Sequence, residues 1–252
     1  MWDRSLLLRA GTLVVDRRHR PYKRLSATII VCGRGRFVLQ TGDARAREYE
    51  GVLIAPNVAR RYIEAVDVDL AILDAGIASG AYRALEPRLV RGDTCAIGTD
   101  EVQRIRAALE REPVAEMGCE EAMRVFATVV AILAPAAGGA LELDARVRRV
   151  MELVEERPFD ATSLSLLARE VGLSESRLRD LFRKTLGCPL SQYARWVAAW
   201  KAIHLWKKGM TFTDVAHAVG FHDLAHADHA LGETFGMSPS EMARIDLQRC
   251  GG

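Results

Sequence analysis

One pattern in this chain occurs twice, and it constrains the fold more than any other feature. Residues 164–187, LSLLAREVGLSESRLRDLFRKTLG, set Leu164, Leu167, Ala168 and Val171 at helical spacing. Gly172 ends that predicted helix, because glycine enters the left-handed C-terminal turn without strain. Ser174 can cap a second helix by accepting a backbone N–H. Leu178, Leu181 and Phe182 form its apolar stripe, which leaves Arg177, Arg179, Arg183 and Lys184 on its other sides. Shifted by 48 residues, Ala168 meets Ala216, Val171 meets Val219, Gly172 meets Gly220 and Leu173 meets Phe221. One inserted residue brings Gly187 onto Gly236, and a second brings Pro189 onto Pro239. Between the copies Pro189 opens a long helix to about Lys207, with Tyr193, Val197, Trp200, Ile203 and Leu205 among its apolar positions and Gly209 closing it. The spacing therefore predicts two helix-turn-helix units joined by one helix.

A single such unit reads equally well as a helical hairpin with a solvated basic face. Duplication favours a DNA reader, since two recognition helices on a rigid spacer reach successive major grooves about 34 Å apart. The net charge of +2 is uninformative, but its distribution is not. Residues 1–144 hold 20 basic and 20 acidic side chains, residues 145–208 hold 13 and 7, and residues 209–252 hold 2 and 6. The first unit lies in a basic segment, and the second lies in an acidic one.

The N-terminal third reads differently. Short apolar runs (ATIIV, FVLQ, GVLIAP, DVDLAIL) are cut by turn formers at Gly33, Gly35, Gly42-Asp43 and Pro56-Asn57. Several short β-branched runs at close spacing predict an antiparallel sandwich or barrel, able to hold a small ligand. From Thr99 or Asp100 a helix carries Val102, Ile105, Ala108 and Leu109. A second runs from about Cys119 to Leu133. This pair can cover the barrel, form a dimer interface, or close its own domain. APAAGGA, residues 134–140, has linker composition. Asp144 caps the next helix, with Val147, Val150, Met151 and Val154 on one face and Pro158 as its stop. The expected domains are 1–95, a β sensory domain; 96–133, the helical pair; 134–143, a linker; and 144–252, the double helix-turn-helix.

Several classes of function find no support. The five cysteines are scattered, without a CxxC, which predicts reduced thiols and no disulfide framework or zinc site. His19, beside Arg17, Arg18 and Arg20, reads as a solvated basic stretch and supplies no metal set for the barrel. His217, His222, His226 and His229 cluster in sequence, but Asp223 is placed to cap a helix and divide them. No cofactor or metal is expected, nor a Ser/His/Asp arrangement or phosphate loop, so the chain does not read as an enzyme. Neither a signal peptide nor a membrane-length apolar run is expected, which points to the cytoplasm and the nucleoid.

Four motifs resemble the AraC/XylS family of bacterial transcription regulators over roughly residues 145–245. They are LxxLAxxxGLSxxxLxxLF (Leu164 to Phe182), GxPLxxY (Gly187 to Tyr193), DVAxxVGF (Asp214 to Phe221) and FGMSPSEM (Phe235 to Met242). GVLIAPNVARR, Gly51 to Arg61, is similar to a segment of that family's cupin-like domain, without its histidines. The resemblance implies an α+β chain: a cupin-like antiparallel β-barrel plus helices, then an all-α double helix-turn-helix domain. It also implies promoter DNA as partner, and RNA polymerase, a homodimer and a small-molecule effector as further ones.

The resemblance places Ser176, Arg179 and Asp180 at base-facing positions of the first recognition helix, with Ser174 and Arg177 at its start. Arginine there can read guanine bidentately. Asp180 either accepts from cytosine or orients Arg179 or Arg183. Arg183 and Lys184 fit phosphate. The second recognition helix departs from the family pattern SYFSRxFKxxFG, reading AHADHALGETFG from Ala225 to Gly236. Ala227 and Leu231 replace its aromatics; His229, Gly232 and Glu233 replace its cations, and Asp228 is added. His226 and His229 remain as DNA-facing candidates. A family-like RLxRA run is AAWKA here, residues 198–202, with Lys201 as the replacement phosphate contact. Acidic groups repel phosphate. Two readings follow: a sequence-specific regulator dominated by its first helix-turn-helix, or an interaction protein that keeps the fold with weakened autonomous DNA binding.

Overall fold

The computed structural model of the chain describes residues 5–18, 20–90, 92–109, 119–135, 143–206, 210–238, 241 and 246–250. Two units separate: residues 2–141 with 240–252, and residues 142–239. His19 and residues 136–142 of the expected linker lie outside the described residues.

The first unit holds two antiparallel sheets. Six strands run in the order β10 (Thr94–Ala96), β7 (Gly51–Ile54), β4 (Ser26–Cys32), β9 (Leu70–Gly76), β1 (Ser5–Ala10) and β11 (Asp246–Cys250). The other sheet runs β2 (Leu13–Asp16), β8 (Ala59–Ala65), β5 (Phe37–Thr41), β6 (Arg47–Tyr49), with β3 (Tyr22–Lys23) also paired to β8. Neither sheet closes among the described residues, so the expected barrel is an open, cupin-like sandwich.

β4 and β9 are buried at every position and are mostly apolar, interrupted only by Ser26, Thr28 and Asp74. One face of each meets helices. Ala27, Ile29, Val31, Leu73 and Ala75 share a core with Val102 and Ile105 of α2 (Thr99–Leu109) and Phe126 and Val129 of α3 (Cys119–Leu133). Strand alternation turns Ser26, Thr28 and Asp74 to the opposite face, toward the five-stranded sheet. The helical pair therefore packs its apolar faces onto the six-stranded sheet. Helix α1 (Gly80–Leu89) contradicts the all-β reading of residues 1–95. Its Pro87 and weak periodicity conceal it, while Ser79 caps it by accepting from Tyr82 N at 3.0 Å. The last strand is another departure from the expected boundaries. β11 pairs with β1 in the register Leu8 with Leu247 and Arg9 with Asp246, so the chain's end joins the sheet instead of the helical unit. Five residues are too few to announce this, and the pairing covers an otherwise bare sheet edge.

The second unit is helical: α4 (Ala145–Glu156), a 3₁₀ turn (Phe159–Ala161), α5 (Leu164–Glu170), α6 (Glu175–Leu186), α7 (Leu190–Trp206), α8 (Phe212–Val219) and α9 (Leu224–Phe235). The repeat is reproduced bond for bond. Leu173 N donates to Ala168 O and Phe221 N to Ala216 O, each at 2.9 Å, while Gly172 N donates to Arg169 O and Gly220 N to His217 O at 3.2 and 3.0 Å. Both turns are the same helix-ending motif around a left-handed glycine, φ +64° at Gly172 and +89° at Gly220. Within this helical unit a file of aromatic rings connects the two helix-turn-helices through α7: Phe182 to Tyr193, Tyr193 to Trp196, Trp196 to Trp200 and Trp200 to Phe235, with centroids 5.5, 5.9, 6.2 and 5.0 Å apart.

Candidate nucleic-acid interface

Helix α6 starts where Ser174 Oγ accepts from Arg177 N at 3.4 Å and ends at left-handed Gly187. Ser174 is thus engaged as a cap, with Ser176 Oγ 3.3 Å away. Leu178 and Phe182 are fully buried. Helical geometry then sends Ser176, Arg179, Asp180 and Arg183 to the opposite side, at i, i+3, i+4 and i+7, and all four are exposed. Arg177 and Lys184 flank that face, also exposed. The structure therefore brings the predicted residues of the first unit onto one helix surface.

Among the described residues, Arg177, Arg179, Arg183 and Lys184 form no ion pair and no side-chain hydrogen bond. Asp180 makes no hydrogen bond or ion pair with Arg179 or Arg183 among the described residues. Other cations of the basic segment are neutralised nearby: Arg146 by Asp144, Arg149 by Glu152, and Arg157 by Glu170, the last holding the Glu170 carboxyl below its usual range. With Arg148 and Arg169, which also form no ion pair among the described residues, the α6 cations carry the positive charge of the segment that is left unneutralised.

Lys201, expected as a phosphate contact, has its ammonium engaged within the helical unit. Its Nζ donates to Val154 O at 3.1 Å and Arg157 O at 2.6 Å, the carbonyls ending α4. A cation at a helix C-terminus is favoured there by the helix dipole, so Lys201 ties α7 to α4.

Helix α9 repeats the frame with different chemistry. Asp223 Oδ1 accepts from His226 N at 2.7 Å as the cap; that backbone bond, and then the neighbouring His222 ring, hold the Asp223 carboxyl below its usual range. Ala227 and Leu231 occupy the buried positions of Leu178 and Phe182. The exposed face equivalent to Ser176, Arg179, Asp180 and Arg183 carries Ala225, Asp228, His229 and Gly232. Here two predicted contacts change character. The His226 ring is half-buried and packs edge-on against Phe159 and Phe221, at 5.8 and 5.3 Å, which takes it off the exposed face. His229 stays exposed, but its Nε2 meets Glu233 Oε1 at 3.0 Å. Glu233, in the position of Lys184, also accepts from Arg195 of α7 at 2.9 Å. Sequence reading missed Arg195; the signal was an acid at position 233 where the first copy has a cation, which calls for a partner.

The described helices include none long and apolar enough to cross a membrane. No curated protein sequence matches the chain. Residues 167–245 match the family described as "Helix-turn-helix domain". Among solved structures, apo ToxT of Vibrio cholerae strain SCE256, a point variant, is similar over 94% of this chain and 95% of its own, with TM-score 0.63 at 11% identity. ToxT of Vibrio cholerae O395 is similar over the same shares, with TM-score 0.57 at 12% identity. Wild-type ToxT of strain SCE256 with bound unsaturated fatty acid covers 94% and 93%, with TM-score 0.57 at 13% identity. These likenesses show a shared α+β fold. With the repeated turns and the family match in place, residues 167–245 carry a helix-turn-helix domain.

Proposed function

We propose that the chain is a sequence-specific, effector-responsive transcription regulator in which α6 supplies most of the DNA affinity and α9 contributes weakly. The observation that carries this reading is the set of four uncommitted cations on α6, beside a face bearing Ser176, Arg179, Asp180 and Arg183. Arg179 reads a base, Arg183 and Lys184 hold phosphate, and Arg177 stands at the flank. On α9, His229 is the remaining contact, weakened by Glu233. Fatty-acid-bound ToxT, on the same fold, supports effector control. The test is a genome-wide footprint of the full-length protein followed by binding to the recovered sites. Discrete sites, paired as a homodimer requires, are expected. Binding that shows no sequence preference and no salt dependence would instead support the interaction-protein reading, which the acidic α9 favours.

A further inference from the structure

Inside the N-terminal unit, two buried guanidinium groups are joined to one carboxylate, Arg24 directly and Arg60 through Thr28. Asp74 accepts from Arg24 Nη1 at 2.6 Å, Ser26 Oγ at 2.8 Å and Thr28 Oγ1 at 2.5 Å. Thr28 Oγ1 in turn accepts from Arg60 Nη2 at 2.6 Å. Arg24, Arg60 and Asp74 are 3, 1 and 1% exposed. The Tyr22 ring lies 5.9 Å from the Arg24 guanidinium and 5.8 Å from that of Arg60. Buried charges are ordinarily paired, because an unpaired one loses its hydration without return. Among the described residues this cluster has two cations and one anion, and Asp74 is already occupied by three donors.

The imbalance falls on Arg60. Its Nε and Nη1 are buried and meet no acceptor among the described residues. Burial pulls its pKa down to about 10, which still leaves it charged at neutral pH. Arg60 enters from β8 at the point where the β5–β8 register shifts, between Gln40 and Thr41. Such bulges re-aim side chains and recur beside binding sites. Thr28 and Asp74 come from the other sheet, so the cluster spans the interior of the sandwich.

We propose that this cluster is a receptor for a small carboxylate monoanion, held by Arg60 beside Thr28 and Tyr22. One negative charge closes the balance, whereas a dianion would reverse it. A planar carboxylate matches the planar donor set of a guanidinium, and charge-assisted bonds of this kind are about twice as strong as neutral ones. The proposal deepens the effector-responsive reading by naming the effector's chemical class, and rests on that reading only for its consequence at DNA.

The full-length protein is melted with increasing sodium acetate, at ionic strength held constant with sodium chloride. A saturable rise in Tm is expected, about 5–10 °C at a hundredfold excess over Kd. Arg60→Met should lose the response and melt no lower than wild type without carboxylate, since it removes an unbalanced buried charge. No saturable rise, an equal rise in Arg60→Met, or equal saturation by chloride alone overturns the proposal. Should Arg60→Met fail to fold, wild-type crystals with 3-bromopropionate decide: a bromine anomalous peak beside Arg60 supports the site, and its absence there overturns it. DNA affinity measured in the same acetate series separates the two readings. Carboxylate bound at Arg60 with unchanged DNA affinity removes effector control and keeps the site. A change in affinity that persists in Arg60→Met keeps effector control and removes the site.

Discussion

The two helix-turn-helix units share a backbone and differ in what it carries. Both turn at a left-handed glycine with the same pair of hydrogen bonds, and both recognition helices end at another, Gly187 or Gly236. On that frame α6 displays four cations without partners among the described residues, while α9 has no Lys or Arg and ties Glu233 to Arg195 and His229. Even the matching glycines differ. A Cβ on Gly172 would meet nothing within 4 Å, whereas one on Gly220 would lie 2.7 Å from Phe159 N and Asp160 Oδ1. The second unit is thus packed tightly against the 3₁₀ turn, and the first leaves its turn open. In this repeat, burial and hydrogen bonding kept the frame while the exposed face diverged.

The glycines give the largest expected effect. Gly172→Ala costs about 1–2 kcal/mol, the ordinary penalty of the left-handed conformation. Gly220→Ala adds overpacking against backbone and costs about 3 kcal/mol or more. Chemical denaturation of residues 142–239 within the full chain measures both, and equal costs would remove the packing asymmetry. Next comes base reading. Arg179→Ala should weaken binding to a recovered site by about 1–3 kcal/mol, whereas Asp228→Ala, at the equivalent place on α9, should leave it unchanged or slightly tighter. Intact specific binding in Arg179→Ala together with its loss in His229→Ala would reverse the assignment of the two helices.

A smaller effect is expected from Glu233→Lys, which restores the cation found at Lys184. It should steepen the slope of log affinity against log salt by about 1; an unchanged slope would show that α9 does not approach phosphate. The smallest concerns pH. Ser174 caps α6 with a group that does not titrate, while Asp223 caps α9 with a carboxyl whose pKa is lowered by His226 N–H and the His222 ring. A lowered native pKa means that the stabilisation is complete above the ordinary carboxylate value of about 3.9. It is lost as pH falls through the native value. Hydrogen exchange should therefore show α9 fraying in acid before α6. Asp223→Asn, which keeps the capping acceptor, should abolish that difference.

The helical unit was legible because its signals are local. Glycine at 172 and 220, caps at 144, 174 and 223, and apolar stripes at fixed spacing each act within one or two turns. The buried strands were legible for a similar reason, as runs of β-branched residues between turn formers. What escaped is non-local. Arg24, Thr28, Arg60 and Asp74 are scattered over 51 positions and gain meaning only when two sheets face each other. Lys201 looked like a surface cation until α4 ended beside it. Helix α1 was hidden by Pro87, and β11 by its brevity.

The ring file along α7 makes that helix a ruler with a phase. Each residue of an α-helix advances about 1.5 Å and turns about 100°. One residue inserted between Trp196 and Trp200 would rotate α8 and α9 about the α7 axis by a quarter turn or more, and break the ring contacts on the way. Length and facing cannot be varied separately. Any change in the separation of α6 and α9 along α7 must therefore come in steps near whole helical turns if their relative facing is to be kept.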